Sequence, residues 1–232
     1  MNTKKILLLI ISLFLSTSAF ATNDLVLIKE NQIQSRINNI GMKILNANKL
    51  DQRVVFVYDE NGKKQLLKAD DTLIKRQVVV FGEVYRNIEN DDELAGYIAR
   101  EIPAAIRSYK GGTGFLSSVK VKAAPKKYEL VFDKLAVDYM VKAGYNPLGL
   151  ITYINKSHPQ ARQDTFSDKN LTSKRLAYIY ERIYMQYPSF LVNNAYLENE
   201  YYQNFLLTSQ ENRKKVLEKS KNPLISKGIK YE

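Results

Sequence analysis

The chain has 232 residues, of which 45% are hydrophobic and 25% are charged, enough for one globular domain with a sizeable core. It has no cysteine, which excludes disulfides and thiolate-bound metals, and its single histidine leaves carboxylates as the main possible metal ligands. The formal net charge of +11 favours anionic surfaces such as lipid headgroups or cell-wall polymers, although a solvated, lysine-rich surface explains the same charge.

The first 21 residues predict a cleavable signal peptide. Lys4 and Lys5 form a basic start, residues 6–15 are apolar apart from Ser12, and Ala19-Phe20-Ala21 is a small-x-small cleavage pattern. The apolar run is short for a membrane span, and an uncleaved N-terminal anchor is the alternative. Cleavage after Ala21 predicts a bacterial protein exported to the periplasm or the extracellular space, where no nucleic-acid partner is expected.

A helix and a small sheet are predicted next. From Glu30 to Leu50 apolar residues recur at three- and four-residue steps, which indicates an amphipathic helix. Residues 53–58 are β-branched and aromatic, and the turn signal Asp59-Glu60-Asn61-Gly62 follows them. With residues 65–69 as the returning strand and residues 77–81 as a third, we predict a small antiparallel sheet.

The rest of the chain is predicted to be mostly helical. A helix over residues 91–106 begins with a capping-box pattern, in which Asn90 is followed three residues later by Glu93. Further helices are predicted over residues 126–143, which Gly144 ends, and from Pro147 to Ile154. A tyrosine-rich helix over residues 171–187 has an apolar stripe that is more typical of an inner face than of a ligand platform. Two helical pieces, over residues 198–207 and 209–219, are predicted in a basic C-terminal tail.

Two separated stretches resemble one family. Residues 92–102 (Asp-Glu-Leu-Ala-Gly-Tyr-Ile-Ala-Arg-Glu-Ile) are similar to the helix that carries His-Glu-x-x-His in gluzincin metallopeptidases of the HtpX, CAAX-prenyl-protease and BepA type. Residues 128–140, followed by Ala-Gly-Tyr-Asn-Pro at 143–147, resemble that family's Glu-x-x-Ala-Asp helix and its Ala-Gly-Tyr-Asp-Pro continuation. Ser157-His158-Pro159 and Arg175 are similar to its later His-Pro and Arg signature.

The resemblance covers about residues 34–187 and implies a fold. We expect an α+β, mostly helical, zincin-like domain over residues 22–190, with the small antiparallel sheet beside the motif helix. Residues 191–232 would form the helical, basic tail.

The resemblance also implies a role for each motif position. In the family, two histidines and a glutamate bind zinc, and the glutamate beside the first histidine is the general base. Glu101 stands at the general-base position, Glu129 at the third-ligand position, and Asp133 at the position that orients a histidine. Arg100 and Ala104 stand at the two histidine positions, and neither side chain binds zinc. No metal or other cofactor is therefore expected.

Further departures agree with a loss of catalysis. Pro103 cannot donate a hydrogen bond to the carbonyl of Ala99 and predicts a kink in the motif helix. Glu101 and Glu129 are 28 positions apart, which is short for this family. His158 is the sole histidine, and we expect it to cap a loop or lie on the surface rather than to bind zinc in place of the missing ligands.

Arg100 predicts a replacement for the metal. Glu129 and Asp133 are four positions apart on a helix, so their carboxylates point to the same side. A guanidinium has a permanent charge and a planar fork that can bridge two carboxylates. If the fold that the resemblance implies is kept, Arg100 faces these carboxylates where the family holds its metal. We therefore predict an Arg100–Glu129–Asp133 ionic cluster that ties the two helices together; an Arg100 that points into solvent is the alternative.

These patterns favour a catalytically inactive, metallopeptidase-like protein of the cell envelope that binds or scaffolds a protein or peptide. The first alternative is an active zinc-dependent metalloendopeptidase with a rearranged site that uses Glu101 as general base. The second alternative is a basic protein that associates with an anionic membrane or wall surface.

Overall fold

The elements are known from a computed structural model that describes residues 27–62, 76–107, 125–157, 171–222 and 229–231. In chain order they are α1 (27–47), β1 (Val55–Asp59), β2 (Gln77–Phe81), α2 (Gly82–Tyr85), α3 (Asp91–Arg107), α4 (Pro125–Lys142), α5 (Leu148–Ser157), α6 (Leu171–Gln186), α7 (Ser189–Val192), α8 (Glu200–Thr208) and α9 (Gln210–Lys221). This mostly helical body with a small sheet confirms the predicted α+β class. The predicted signal peptide, the strand at 65–69 and His158 lie outside the described residues.

The sheet of the described residues pairs β1 with β2, and the two strands are parallel, with Val55 opposite Gln77 and Asp59 opposite Phe81. The prediction of an antiparallel sheet is therefore wrong. A tight hairpin after β1 would make its partner antiparallel, but residues 60–76 separate the two strands. A connection of this length allows the chain to cross over and begin β2 at the same end of the sheet as β1.

Helix α3 lies at the centre of the core. All its residues from 93 to 106 are buried except Arg100, whose side chain keeps a small exposure to solvent. Two glycines allow α5 to approach it closely: a Cβ on Gly96 would lie 3.2 Å from the Cα of Leu150, and a Cβ on Gly149 would lie 2.8 Å from the backbone of Asp92. The sheet packs beside the same helix, since the Tyr97 hydroxyl donates a hydrogen bond of 2.8 Å to the Val79 carbonyl.

A modified capping box fixes the start of α3. The Asn90 side chain accepts a hydrogen bond from the Glu93 N–H at 2.9 Å, as predicted, but the Glu93 carboxylate accepts from the N–H of Glu89 at 2.8 Å. Glu93 is fully buried, and the Lys156 ammonium of α5 lies 3.1 Å from both of its oxygens. This buried charge is thereby neutralised, and it ties α5 to the first turn of α3.

Residues beyond 190, which the sequence predicts as a tail, pack on the same body. Helix α8 contacts α5 and contributes Tyr202 and Phe205 to the main hydrophobic core, and α9 contacts α6. Tyr196 is also buried, and its hydroxyl donates to the carboxylate of Asp92 at 3.0 Å. None of the helices in the described ranges has the length and apolar character needed to cross a bilayer.

Gly144 ends α4, as predicted, and the structure shows that it does so in a left-handed conformation. Its φ is +75°, its N–H donates to the Val141 carbonyl at 3.0 Å, and the Tyr145 N–H donates to the Met140 carbonyl at 2.9 Å. This pair of hydrogen bonds is the Schellman arrangement, which satisfies carbonyl groups at the end of the helix.

We expect Gly144→Ala to lower the free energy of unfolding by about 1 kcal/mol, because a side chain disfavours this backbone conformation. The loss is purely conformational, since a Cβ at Gly144 would meet no atom within 4 Å. Urea unfolding measures it, with Gly144→Asn as the matched control. Asparagine tolerates positive φ, so its loss should be smaller, and equal stability of all three proteins would contradict this role.

Candidate functional site: a buried arginine–carboxylate cluster

Five charged side chains from three helices form one ionic cluster. Arg100 and Glu101 come from α3, Glu129 and Asp133 from the first half of α4, and Arg175 from the first turns of α6. Glu129 and Asp133 are one helical turn apart on α4 and meet both arginines from the same face. Helix α4 packs against both α3 and α6, which brings the three helices' charges together.

Asp133 is the centre of the ionic cluster and has no exposure to solvent. Its Oδ2 accepts a hydrogen bond from Arg175 Nε at 2.7 Å, and its Oδ1 accepts from Arg175 Nη2 at 3.0 Å and from Arg100 Nε at 2.9 Å. The Arg175–Asp133 pair is thus bidentate, the strongest geometry for a guanidinium and a carboxylate. Both oxygens of this buried charge are satisfied.

Arg100 bridges three carboxylates, one with each of its nitrogens. Its Nε donates a hydrogen bond to Asp133, as described above. Its Nη1 donates to Glu101 at 3.1 Å, and its Nη2 donates to Glu129. Burial alone would lower the pKa of Arg100, but the negative charges of Asp133, Glu129 and Glu101 outweigh it and raise the pKa. The side chain, 11% exposed, is therefore a fixed positive charge inside the protein.

Glu129 lies at the open side of the cluster. Its side chain is 39% exposed, whereas those of Arg175 and Asp133 are buried. It receives a second, longer ionic contact of 3.5 Å from Arg175 Nη1. Both arginines therefore bind both carboxylates of α4, and the cluster reaches solvent through Glu129.

The structure brings together most of the predicted site residues. The predicted contacts of Arg100 with Glu129 and Asp133 are present, and Glu101 joins them. Ala104 lies one turn after Arg100 and forms a small buried apolar cluster with Phe132 instead. His158 lies outside the described residues.

The role of Arg175 is the part that sequence reasoning missed. The sequence marks Arg175 only as a motif position, whereas the structure makes it the main partner of Asp133. No local pattern links residue 175 to residue 133, because their contact depends on how α6 packs on α4. The signal for Arg175 in the sequence was its motif position in the resembled family, because the burial of Asp133 is known only from the structure.

Pro103 lies inside α3, beyond the ionic cluster. It has no N–H to donate to the carbonyl of Ala99, at a typical cost of about 3 kcal/mol. The helix nevertheless continues through it to Arg107, and Pro103 itself is buried. Packing thus maintains the helix across the proline, and the kink stays a prediction.

The donors in this site do not fit a zinc ion. Each of the three carboxylates accepts a hydrogen bond from a guanidinium, and the positive charge of Arg100 among them repels a metal cation. In the part of the chain that the structure describes, no group of three or more His, Cys, Asp or Glu side chains is placed to hold a metal. The arrangement can join helices and present a carboxylate to solvent.

We expect Arg100→Ala to lower the free energy of unfolding by roughly 3–5 kcal/mol, because it leaves buried carboxylates short of positive charge. Arg100→Lys should recover only part of this loss, since one ammonium cannot bond three separate carboxylates in the geometry of the guanidinium. Urea unfolding at neutral pH measures both variants.

The control for these variants is Lys214→Ala, which removes an exposed ion pair of 2.7 Å with Glu211. Its loss should stay below about 1 kcal/mol, as is usual for surface pairs. If Arg100→Ala proved as mild as the control, the ionic cluster would not stabilise the fold.

The sequence matches no protein-family model, no curated protein and no solved structure. The resemblance to gluzincin metallopeptidases therefore stays a prediction from the motifs, and the geometry of the ionic cluster is what describes the site.

Proposed function

We propose that the chain is a catalytically inactive, metallopeptidase-like protein of the cell envelope that binds a protein or peptide. One observation carries the proposal. Arg100, at the position of the family's first zinc-binding histidine, bonds to Glu129 and Asp133, which stand at the family's third-ligand and histidine-orienting positions. An arginine thus occupies the place of the metal between the same two helices.

The charges of the ionic cluster support this replacement. Arg100 and Arg175 together supply two positive charges, as a zinc ion does, and they come from two different helices to bind the carboxylates of α4. A guanidinium supplies charge and directed hydrogen bonds, but it cannot act as a Lewis acid on water or on a carbonyl group. The arginine therefore replaces the metal as a link between helices but not as a Lewis acid.

The order of the elements supports a zincin-like architecture. A helix and a small sheet precede α3, β2 packs beside α3, and α4 and α6 supply the later motif positions in the order of the resembled family. The parallel direction of the sheet departs from the predicted arrangement. In such an architecture the peptidase cleft is a surface for an extended chain, and loss of the metal leaves that surface for binding without cleavage.

Purified protein should contain no stoichiometric zinc and should not cleave an unfolded protein such as casein, with or without a chelator. Inductively coupled plasma mass spectrometry measures the metal, and peptide release measures the activity. Stoichiometric zinc together with chelator-sensitive cleavage would establish the alternative, an active endopeptidase that uses Glu101 as general base.

Restoring both histidines tests the architecture separately. If α3 and α4 keep the metallopeptidase arrangement, the double variant R100H/A104H should bind one zinc ion, with Glu129 as third ligand and tetrahedral coordination in X-ray absorption. The triple variant R100H/A104H/E129Q is the matched control and should bind zinc much more weakly. A folded double variant without zinc affinity would contradict the zincin-like architecture, while the inactivity of the natural chain would stand.

A further inference from the structure

A second site, away from the ionic cluster, lies where α9 packs along α6. The buried face of α9 consists of Asn212, Val216 and Lys219, which are spaced at helical steps. The Asn212 amide donates to the Ser173 hydroxyl of α6 at 3.0 Å, and farther along both helices Lys219 Nζ lies 3.4 Å from Glu181. The two helices therefore run in the same direction and form a seam.

Tyr231 is inserted at the far end of this seam. It is only 4% exposed and belongs to one buried cluster with Ala177 and Val216. Its ring meets Tyr178 edge-on, with 4.9 Å between the ring centroids, and Lys219 Nζ lies 3.9 Å from its centre. The phenol ring of Tyr231 is thus in contact with an aromatic ring, a lysine ammonium and two apolar side chains.

The polar groups of the pocket suit a phenol. Lys219 is 7% exposed, so its charge relies on Glu181 and on the faces of Tyr231 and Tyr178. Burial, and then the negative charge of Glu181, raises the pKa of the Tyr231 hydroxyl. The Tyr231 hydroxyl and one oxygen of the Glu181 carboxylate are both buried without a hydrogen-bond partner among the described residues. The neutral phenol therefore lies near an acceptor with which it can still pair, and its ring face is in contact with the Lys219 ammonium.

We propose that α6 and α9 form a binding pocket for the phenol side chain of a tyrosine, and that Tyr231 fills this pocket as an intramolecular ligand. Residues 222–230 separate Tyr231 from the end of α9. Tyr231 therefore belongs to neither of the two helices that form the pocket. A tyrosine of a partner peptide would have to displace Tyr231 to bind there. This inference does not depend on the proposed loss of catalysis.

The experiment is chemical rescue of the full-length variant Tyr231→Ala. Removal of the ring should lower the melting temperature, and p-cresol, the side-chain analogue of tyrosine, should restore it in a dose-dependent manner. Wild-type protein should not be stabilised by p-cresol, because Tyr231 already fills the pocket. Toluene should rescue less well, since it has no hydroxyl group to face Glu181.

Two further variants distinguish a specific pocket from general solvent effects. Tyr201→Ala is the matched control, because the Tyr201 ring also lies near a lysine, Lys156 at 4.8 Å, but on a half-buried surface, and p-cresol should not rescue it. Lys219→Met in the Tyr231→Ala background should weaken the rescue. Equal responses of wild type, Tyr231→Ala and Tyr201→Ala would overturn the proposal, as would the absence of any response in folded Tyr231→Ala.

If Tyr231→Ala fails to fold, as judged by far-UV circular dichroism, Tyr231→Leu provides a second variant with a smaller cavity. Weaker but saturable stabilisation of Tyr231→Leu by p-cresol would support the pocket. No stabilisation of the folded leucine variant would contradict it.

Discussion

The charge of Asp133, which no solvent reaches, constrains the arrangement of α3, α4 and α6. Removing a carboxylate from water costs several kcal/mol, so the fold must supply partners whose geometry offsets that cost. Arg175 provides two hydrogen bonds and Arg100 a third, and the two arginines come from two different helices, α6 and α3. None of the three helices can move relative to the others without leaving a buried charge incompletely paired.

Arginine differs from a metal ion in what it can do at the same place. A zinc ion and a guanidinium both gather carboxylates from separate helices, but the guanidinium arrives on the chain itself and forms its contacts as the chain folds. It does not require deprotonated histidines or an external supply of metal. It also has no coordination position for water, so what it contributes to the joint between α3 and α4 is charge and directed hydrogen bonds.

Helix α6 contributes both to the ionic cluster and to the pocket that Tyr231 fills. Arg175 binds the ionic cluster, while Tyr178, three residues later on α6, lines the pocket. Helix α6 also buries Leu176, Ile179 and Ile183 in the main core, which agrees with the interpretation of its apolar stripe as an inner face. A single rigid helix therefore connects the centre of the domain to the segment that follows α9.

The sequence by itself determined what depends on neighbours along the chain. The periodicity of apolar residues predicted α1, α3, α4 and α6, Gly144 predicted the end of α4, and the four-residue spacing of Glu129 and Asp133 put both carboxylates on one face of α4. These features depend on hydrogen bonds and side-chain positions within one or two helical turns, where residue type is decisive.

Only the tertiary structure decided how distant segments meet. It made β1 and β2 parallel, placed Arg175 on Asp133, and put Tyr202, Phe205 and Tyr231 against helices that precede them by many residues. The direction of a strand depends on the path of the connecting chain. Which arginine becomes the main partner of Asp133 depends on how the helices pack in the core. A local pattern contains neither. The contact of Arg100 with α4 was predicted through the family resemblance, and the contact of Arg175 with Asp133 became visible only in the fold.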